Sequence, residues 1–168
     1  MENWYVAKTR FFRGEIKMRD TLTGLGVENF VPVRTARKTR GHGLSETPAA
    51  PNLVFLRATK ADACALVTER FLPIRYVTDC ATHQMMVVPD KQMEDFRRVF
   101  DYSMEEGGLV DKPLALGDRV RVVRGPLKGV EGHVMEFQGR LYVVVALMGC
   151  IFARARVPRA WLEKIVNN

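Results

Sequence analysis

Apolar and polar residues alternate most clearly from Gly117 to Val134, GDRVRVVRGPLKGVEGHV. Val120, Val122 and then Val123 form one side and Arg119, Arg121 and Arg124 the other, which predicts a half-buried strand. A turn follows. Gly125-Pro126 and Gly129 bracket Leu127 and Lys128, with proline fixing one φ and the glycines free to take φ > 0, and Val130 to Val134 returns as a second strand. Gly132 sits inside that return strand, where a missing side chain marks a bulge or a close backbone approach. Gly139 to Met148 and Ile151 to Val157 are two more strands, separated by Gly149. Pro158 to Val166 then supplies Trp161, Leu162 and Ile165 to plug one end of a small barrel.

The first hundred residues change period several times. Asn3 to Arg10, NWYVAKTR, predicts a strand. From Phe11 to Leu25 the apolar residues Phe11, Met18, Leu22 and Leu25, widened by Phe12 and Ile16, recur at helical spacing, and Gly24 and Gly26 offer a stop. Val27 to Val33 predicts a second strand leading into Arg34 to Gly43, a projecting basic loop, and Ser45 to Pro51 is rich in breakers. Asn52 to Arg57 is the returning strand. Lys60 to Phe71 predicts a helix with Ala63, Leu66, Val67 and Phe71 inward, and short strands are expected around Ile74 to Thr78 and Met85 to Val88. Asp90 then N-caps a helix running to Met104, with Met93, Phe96, Val99 and Phe100 on one face. The order β-α-β-β-α-β-β-α implies an α+β sandwich, an antiparallel sheet with helices, over residues 1–104. Acidic, glycine-containing 105–113 reads as a linker, and 114–168 as the small barrel.

Charge and cysteine count narrow the classes. A formal charge of +7 favours a polyanionic neighbour without identifying it. Cysteines 64, 80 and 150 are odd in number and widely spaced, which argues against a disulfide framework or a zinc site and for buried free thiols. The longest apolar run, Val143 to Met148, is far below the ~20 residues of a membrane helix, and no hydrophobic signal segment follows Glu2, so the chain is expected in the cytoplasm, away from membranes.

Reaction chemistry is sparse. His42, His83 and His133 fall in separate segments with no spacing partner for a metal, and no phosphate-binding or nucleophile-elbow motif is present. Asp90, Glu94 and Asp95 read as first-turn residues favoured by the helix dipole. No catalytic residue, metal or cofactor is expected, and the chain does not read as an enzyme.

The order WYVAKTR, helix, FVPVRTARK, NLVFLRATK, VVPDKQMEDF, acidic linker and GDRVRV...GPLKGVEG resembles the NusG family of transcription elongation factors, with an N-terminal NGN domain and a C-terminal SH3-like KOW β-barrel. Gly125, Pro126, Gly129 and Gly132 would be the KOW turn. NLVFLRATK and VVPDKQMEDF are most similar to the UpxY-type antiterminators, paralogues acting on long surface-polysaccharide operons. Housekeeping members carry an aromatic-proline-glycine-tyrosine run where this chain has Ala50-Pro51-Asn52-Leu53, and RfaH is similar in placing asparagine after the proline.

The resemblance implies that the clamp helices of RNA polymerase are received by Val6, Pro51, Leu53, Phe55, Met93 and Phe96. Strand alternation leaves open whether Phe55 is a contact or an ordinary core residue. It further implies that Arg10, Arg13 and Lys17 face upstream DNA or the nontemplate strand, and that Arg34, Arg37, Lys38 and Arg40 reach DNA or the opposite pincer of the polymerase. The KOW barrel would meet a small-subunit ribosomal protein or a termination factor, and its valine-rich strands disfavour a helical refolding of the RfaH kind. A general elongation factor and a KOW-containing ribosomal or other RNA-binding protein are the alternatives.

Overall fold

The computed structural model describes residues 1–11, 13–37, 43–102, 109–110, 117–148 and 151–166. They form two compact units, Met1–Pro89 and Asp90–Asn168. The expected linker lies outside the described residues except for Leu109-Val110.

The first unit contains β1 (Asn3–Thr9), α1 (Glu15–Gly24), β2 (Asn29–Phe30), β3 (Val33–Arg37), β4 (Leu44–Pro48), β5 (Leu53–Ala58), α2 (Lys60–Thr68), β6 (Ile74–Tyr76) and β7 (Val87–Val88). An antiparallel sheet runs β2-β5-β1-β6, with β7 also on β1. β1 and β5 pair Tyr5 with Leu56 and Ala7 with Val54, and these four pack with Met18 and Leu22 of α1 and Ala63 and Leu66 of α2. Fully burying a side chain such as Leu22 contributes about 1.5–3 kcal/mol. Thr59 caps α2, accepting from the Asp62 amide at 3.2 Å.

Several local expectations are corrected. α1 begins at Glu15, so Phe11 precedes it and is exposed, as is Leu25 past its end. α2 stops at Thr68, and Phe71, in the left-handed region at φ 53°, points to solvent. The strand expected at Val27 to Val33 breaks at Val31-Pro32, because proline has no N–H for the ladder. Its second half becomes β3, which pairs with β4, so the breaker-rich stretch is partly strand and Arg34 to Arg37 lie on a hairpin arm. Cys64 and Cys80 are exposed, since Cys64 takes the outer side of α2 and Cys80 lies in a turn. Cys150 lies outside the described residues.

The second unit contains α3 (Asp90–Tyr102), β8 (Leu109–Val110), β9 (Arg119–Val122), β10 (Glu131–Phe137), β11 (Arg140–Leu147), β12 (Ile151–Arg156), a 3-10 turn (Arg159–Trp161) and β13 (Leu162–Lys164). Its antiparallel sheet runs β13-β9-β10-β11-β12-β8. Gly125 and Gly129 take φ 78° and 89°, and the Gly129 amide donates to Val122 O at 2.7 Å, closing the turn. At Gly132 a Cβ would lie 2.5 Å from Val144 O on β11, so close backbone approach is what the glycine serves. The Trp161 ring covers Gly125, leaving no room for a Cβ there. Asp90 is the first residue of α3, within its first turn.

Candidate functional site

The sheet of the first unit has two faces, and alternation assigns residues to each. Tyr5, Ala7, Val54 and Leu56 face α1 and α2. Val6 and Phe55 therefore share the other face, directly opposite one another in register. Phe30 is the register partner of Phe55 on the far side, with ring centroids 6.2 Å apart. Leu53, two residues before Phe55, continues this row and is half-buried, while Val6 and Phe55 are fully buried.

Pro51 is exposed in the turn before β5. The next residue, Asn52, adopts φ 62°, and its amide donates to the Glu15 carboxylate. Glu15 is itself 1 % exposed, and among the described residues its Oε2 has no hydrogen-bond partner. This carboxylate was not apparent from the sequence, because what needs it is a backbone amide 37 positions away. It ties the start of α1 to the turn that launches β5.

Met93 and Phe96 lie on α3, in the second unit, and both are fully buried. α3 packs on β11 and β12. Polar groups fix it to the turn and the strands of the same unit. Asp95, only 2 % exposed, accepts from Lys91 Nζ at 2.6 Å and from the Glu131 amide at 3.0 Å. Lys91 also donates to Gly129 O, Arg98 to Pro126 O and Lys128 O, and Gln92 to Ala146 O. Asp95 is thus a tether to β10, which corrects its reading as a first-turn residue favoured by the helix dipole. Pro126 and Gly129, expected as turn formers, additionally lend their carbonyls to α3.

The basic residues separate into groups. Arg10, Arg13 and Lys17 are exposed along the β1 exit and the first part of α1, with Arg13 at φ 58°. Arg34 is exposed on β3, and Arg37 ends that strand. Lys38 and Arg40 lie outside the described residues. Arg19 is held by Glu46 at 2.9 Å and Asp20 at 3.0 Å, and the Glu46 hydrogen bond raises its guanidinium pKa. It ties α1 to β4.

On the barrel, Arg121 and Arg119 close on Glu131 at 2.6 and 3.0 Å, and the hydrogen bond from Arg121 holds that carboxyl below its ordinary value. Arg154 stands over the rings of Tyr142 and Phe137, 5.1 and 5.6 Å from their centroids. Arg154 is a basic position that alternation alone could have nominated, since it alternates with Ile151, Ala153 and Ala155 along an apolar strand.

The family model for the transcription termination factor NusG matches residues 2–97, over half of the chain. The chain belongs to the NusG family. Membership places it among transcription elongation and antitermination factors, which interact with RNA polymerase and are not enzymes. In fold, it is similar to NusG of Thermotoga maritima in a structure concerned with domain interaction in that protein. The TM-score is 0.51 at 18% identity, covering 99% of this chain and 98% of that one. No curated protein matches by sequence. Among the described residues no helix is long and apolar enough to cross a membrane.

Proposed function

We propose that this NusG-family chain binds the clamp helices of RNA polymerase through its NGN domain and suppresses pausing and termination at specific operons, with surface-polysaccharide loci as the leading class. What carries the reading is the sheet face of Val6, Leu53 and Phe55. A sheet covered by its own helices on one face, with a row of large apolar side chains on the other, is what a helical partner fits. Burial of such a side chain against a partner helix contributes roughly 1.5–3 kcal/mol before ordering costs. Val6, Phe55, Met93 and Phe96 are buried in this structure, so binding requires that they first be uncovered. The affinity is lowered by the population of that open form.

In this reading the NGN domain spans 1–104 and the KOW domain 114–168, with the linker between them. Arg10, Arg13 and Lys17 contact phosphates of upstream DNA or the nontemplate strand, and Arg34, Arg37, Lys38 and Arg40 extend that surface. The KOW barrel takes a small-subunit ribosomal protein or a termination factor, and the chain works in the cytoplasm. A factor that favours the elongating state of the polymerase over paused states acts by differential binding alone, with no bond made or broken.

The UpxY-type subtype is supported by NLVFLRATK, VVPDKQMEDF and Asn52 after Pro51. The test is in two parts. Readthrough of a terminator by purified polymerase should rise on adding the chain, and chromosomal occupancy should concentrate at a few loci. Occupancy spread over all transcribed genes would make it a general elongation factor.

A further inference from the structure

On the sheet face that carries Val6 and Phe55, the next row toward the end of β1 is charged. Lys8 is the register partner of Leu53 on β5 and of Arg75 on β6. In the row before it Val6 is opposite Phe55, and the Val77 amide donates to Val6 O at 2.8 Å on the other side. Val77-Val6-Phe55 and Arg75-Lys8-Leu53 therefore run side by side on one face, because residues two apart on a strand share it. A groove of about 440 Å³ lies here, lined by Lys8 and by Arg75 to Thr78. The Tyr76 ring belongs to the opposite face. It stands edge-on to Tyr5 with centroids 6.1 Å apart, and its hydroxyl donates to Ala63 O.

Two observations set the cations apart. Lys8 and Arg75 stand directly across from one another, where like charges destabilise a sheet, and among the described residues neither makes an ion pair, unlike Arg19 and Arg57. Both are also exposed, while Val6 and Phe55 are fully buried. An uncompensated pair that costs stability is thus open on the same face whose apolar row is covered.

We propose that Lys8 and Arg75 recognise a carboxylate on the helix that docks on this face, and that this contact forms before Val6 and Phe55 are uncovered. The inference rests on the clamp-helix reading and adds the side chain of the partner that is read. Lys8 lies two residues from Val6, about 6.6 Å along the strand, and four residues of an α-helix rise about 6 Å. A helix aligned with β1 that sets an apolar side chain over Val6 and Phe55 therefore sets the side chain four positions away over Lys8 and Arg75. An acidic residue there neutralises both cations at once. A nucleic-acid strand fits less well, since Tyr76 turns its ring to the other face and gives a base nothing to stack on. Because the pair is open first, its charge acts on encounter: it speeds association, and the apolar row then sets dissociation.

The experiment follows association of the full-length chain with core polymerase and with a labelled clamp-helix peptide by stopped flow, with a ten-nucleotide oligodeoxythymidylate as the nucleic-acid arm. Lys8→Glu with Arg75→Glu should slow association with polymerase and peptide roughly tenfold at low salt. The difference should narrow near 1 M salt, where the Debye length is about 3 Å. The same charge change at the exposed Arg140 and Arg159 of the barrel should slow association by less than about threefold. Changing the acidic residues of the peptide to lysine one at a time should reveal a position that weakens wild type and restores the double variant. Lys8→Gln with Arg75→Gln, which removes the like-charge repulsion, should also associate slowly yet unfold at or above the wild-type temperature, so misfolding is excluded as the cause.

Phe55→Leu separates this contact from the reading beneath it. If Phe55→Leu binds weakly and Lys8→Glu with Arg75→Glu associates like wild type, the carboxylate contact falls and the clamp-helix reading stands. If wild type binds neither polymerase nor peptide, both fall. Equal losses from the two charge-reversed double variants, no reciprocal position in the peptide, or a loss confined to the oligodeoxythymidylate would each overturn the proposal.

Discussion

Replacing Asp95 tests what holds α3 to the barrel. The carboxylate is 2 % exposed and serves two donors, Lys91 Nζ at 2.6 Å and the Glu131 amide at 3.0 Å. Asp95→Ala removes a charge-assisted bond to a backbone amide, about 1.5–3 kcal/mol. It also removes an i,i+4 ion pair whose lysine is half-exposed, about 0.3–0.5 kcal/mol. Higher helix propensity of alanine returns about 0.5 kcal/mol, so the net loss is about 2 kcal/mol. Asp95→Asn keeps a neutral acceptor for the amide and loses the ion pair, which costs about 1 kcal/mol.

Urea unfolding followed by circular dichroism should rank the proteins wild type, Asp95→Asn, Asp95→Ala. Hydrogen exchange should show protection lost first in residues 90–102 and in the turn around Gly129. If Asp95→Ala unfolds like wild type, or α3 keeps its protection, the tether carries nothing and the account of α3 is wrong. In the polymerase reading the same variant should bind the clamp helices more tightly, since uncovering Met93 and Phe96 then costs less.

Two further outcomes follow from the barrel. Gly132→Ala places a methyl 2.5 Å from Val144 O, a backbone atom that cannot swing away, so it should cost about 1–3 kcal/mol in chemical denaturation. Gly139→Ala meets no atom within 4 Å, but its φ of 68° makes the substitution moderately strained, and its loss should be smaller. The Glu131 carboxyl, depressed by Arg121, contributes stability that is fully present above its ordinary value of 4.5 and is lost as pH falls through the depressed folded value. A pH titration of unfolding should therefore show stability falling below about pH 4, and the fall should be shallower in Glu131→Gln, with a small amplitude because the pair is solvent-exposed.

Local rules carried the barrel and missed the tethers. The turn at Gly125 to Gly129 was legible because glycine and proline act through their own dihedral angles, and Gly132 because a missing side chain has few uses in a strand. α3 was legible from Met93, Phe96, Val99 and Phe100. Phe71 and Phe11 were misplaced because periodicity continues past the point where a backbone leaves the helix. Glu15 was missed and Asp95 misread because their partners, the amides of Asn52 and Glu131, lie 37 and 36 positions away. Only the fold brings those groups together.

The central claim is that the face of β1 and β5 opposite α1 and α2 receives RNA polymerase, and Phe55→Leu tests it most directly. This change keeps most of the apolar volume, so it should cost less than about 1.5 kcal/mol of stability, while removing the ring that sits between Val6 and Phe30. Binding of the full-length chain to core polymerase and to an isolated clamp-helix peptide should be measured together with thermal unfolding. The account predicts that wild type binds both, and that Phe55→Leu still unfolds cooperatively but binds each at least tenfold more weakly. Failure of wild type to bind polymerase, or equal binding by Phe55→Leu, would contradict it.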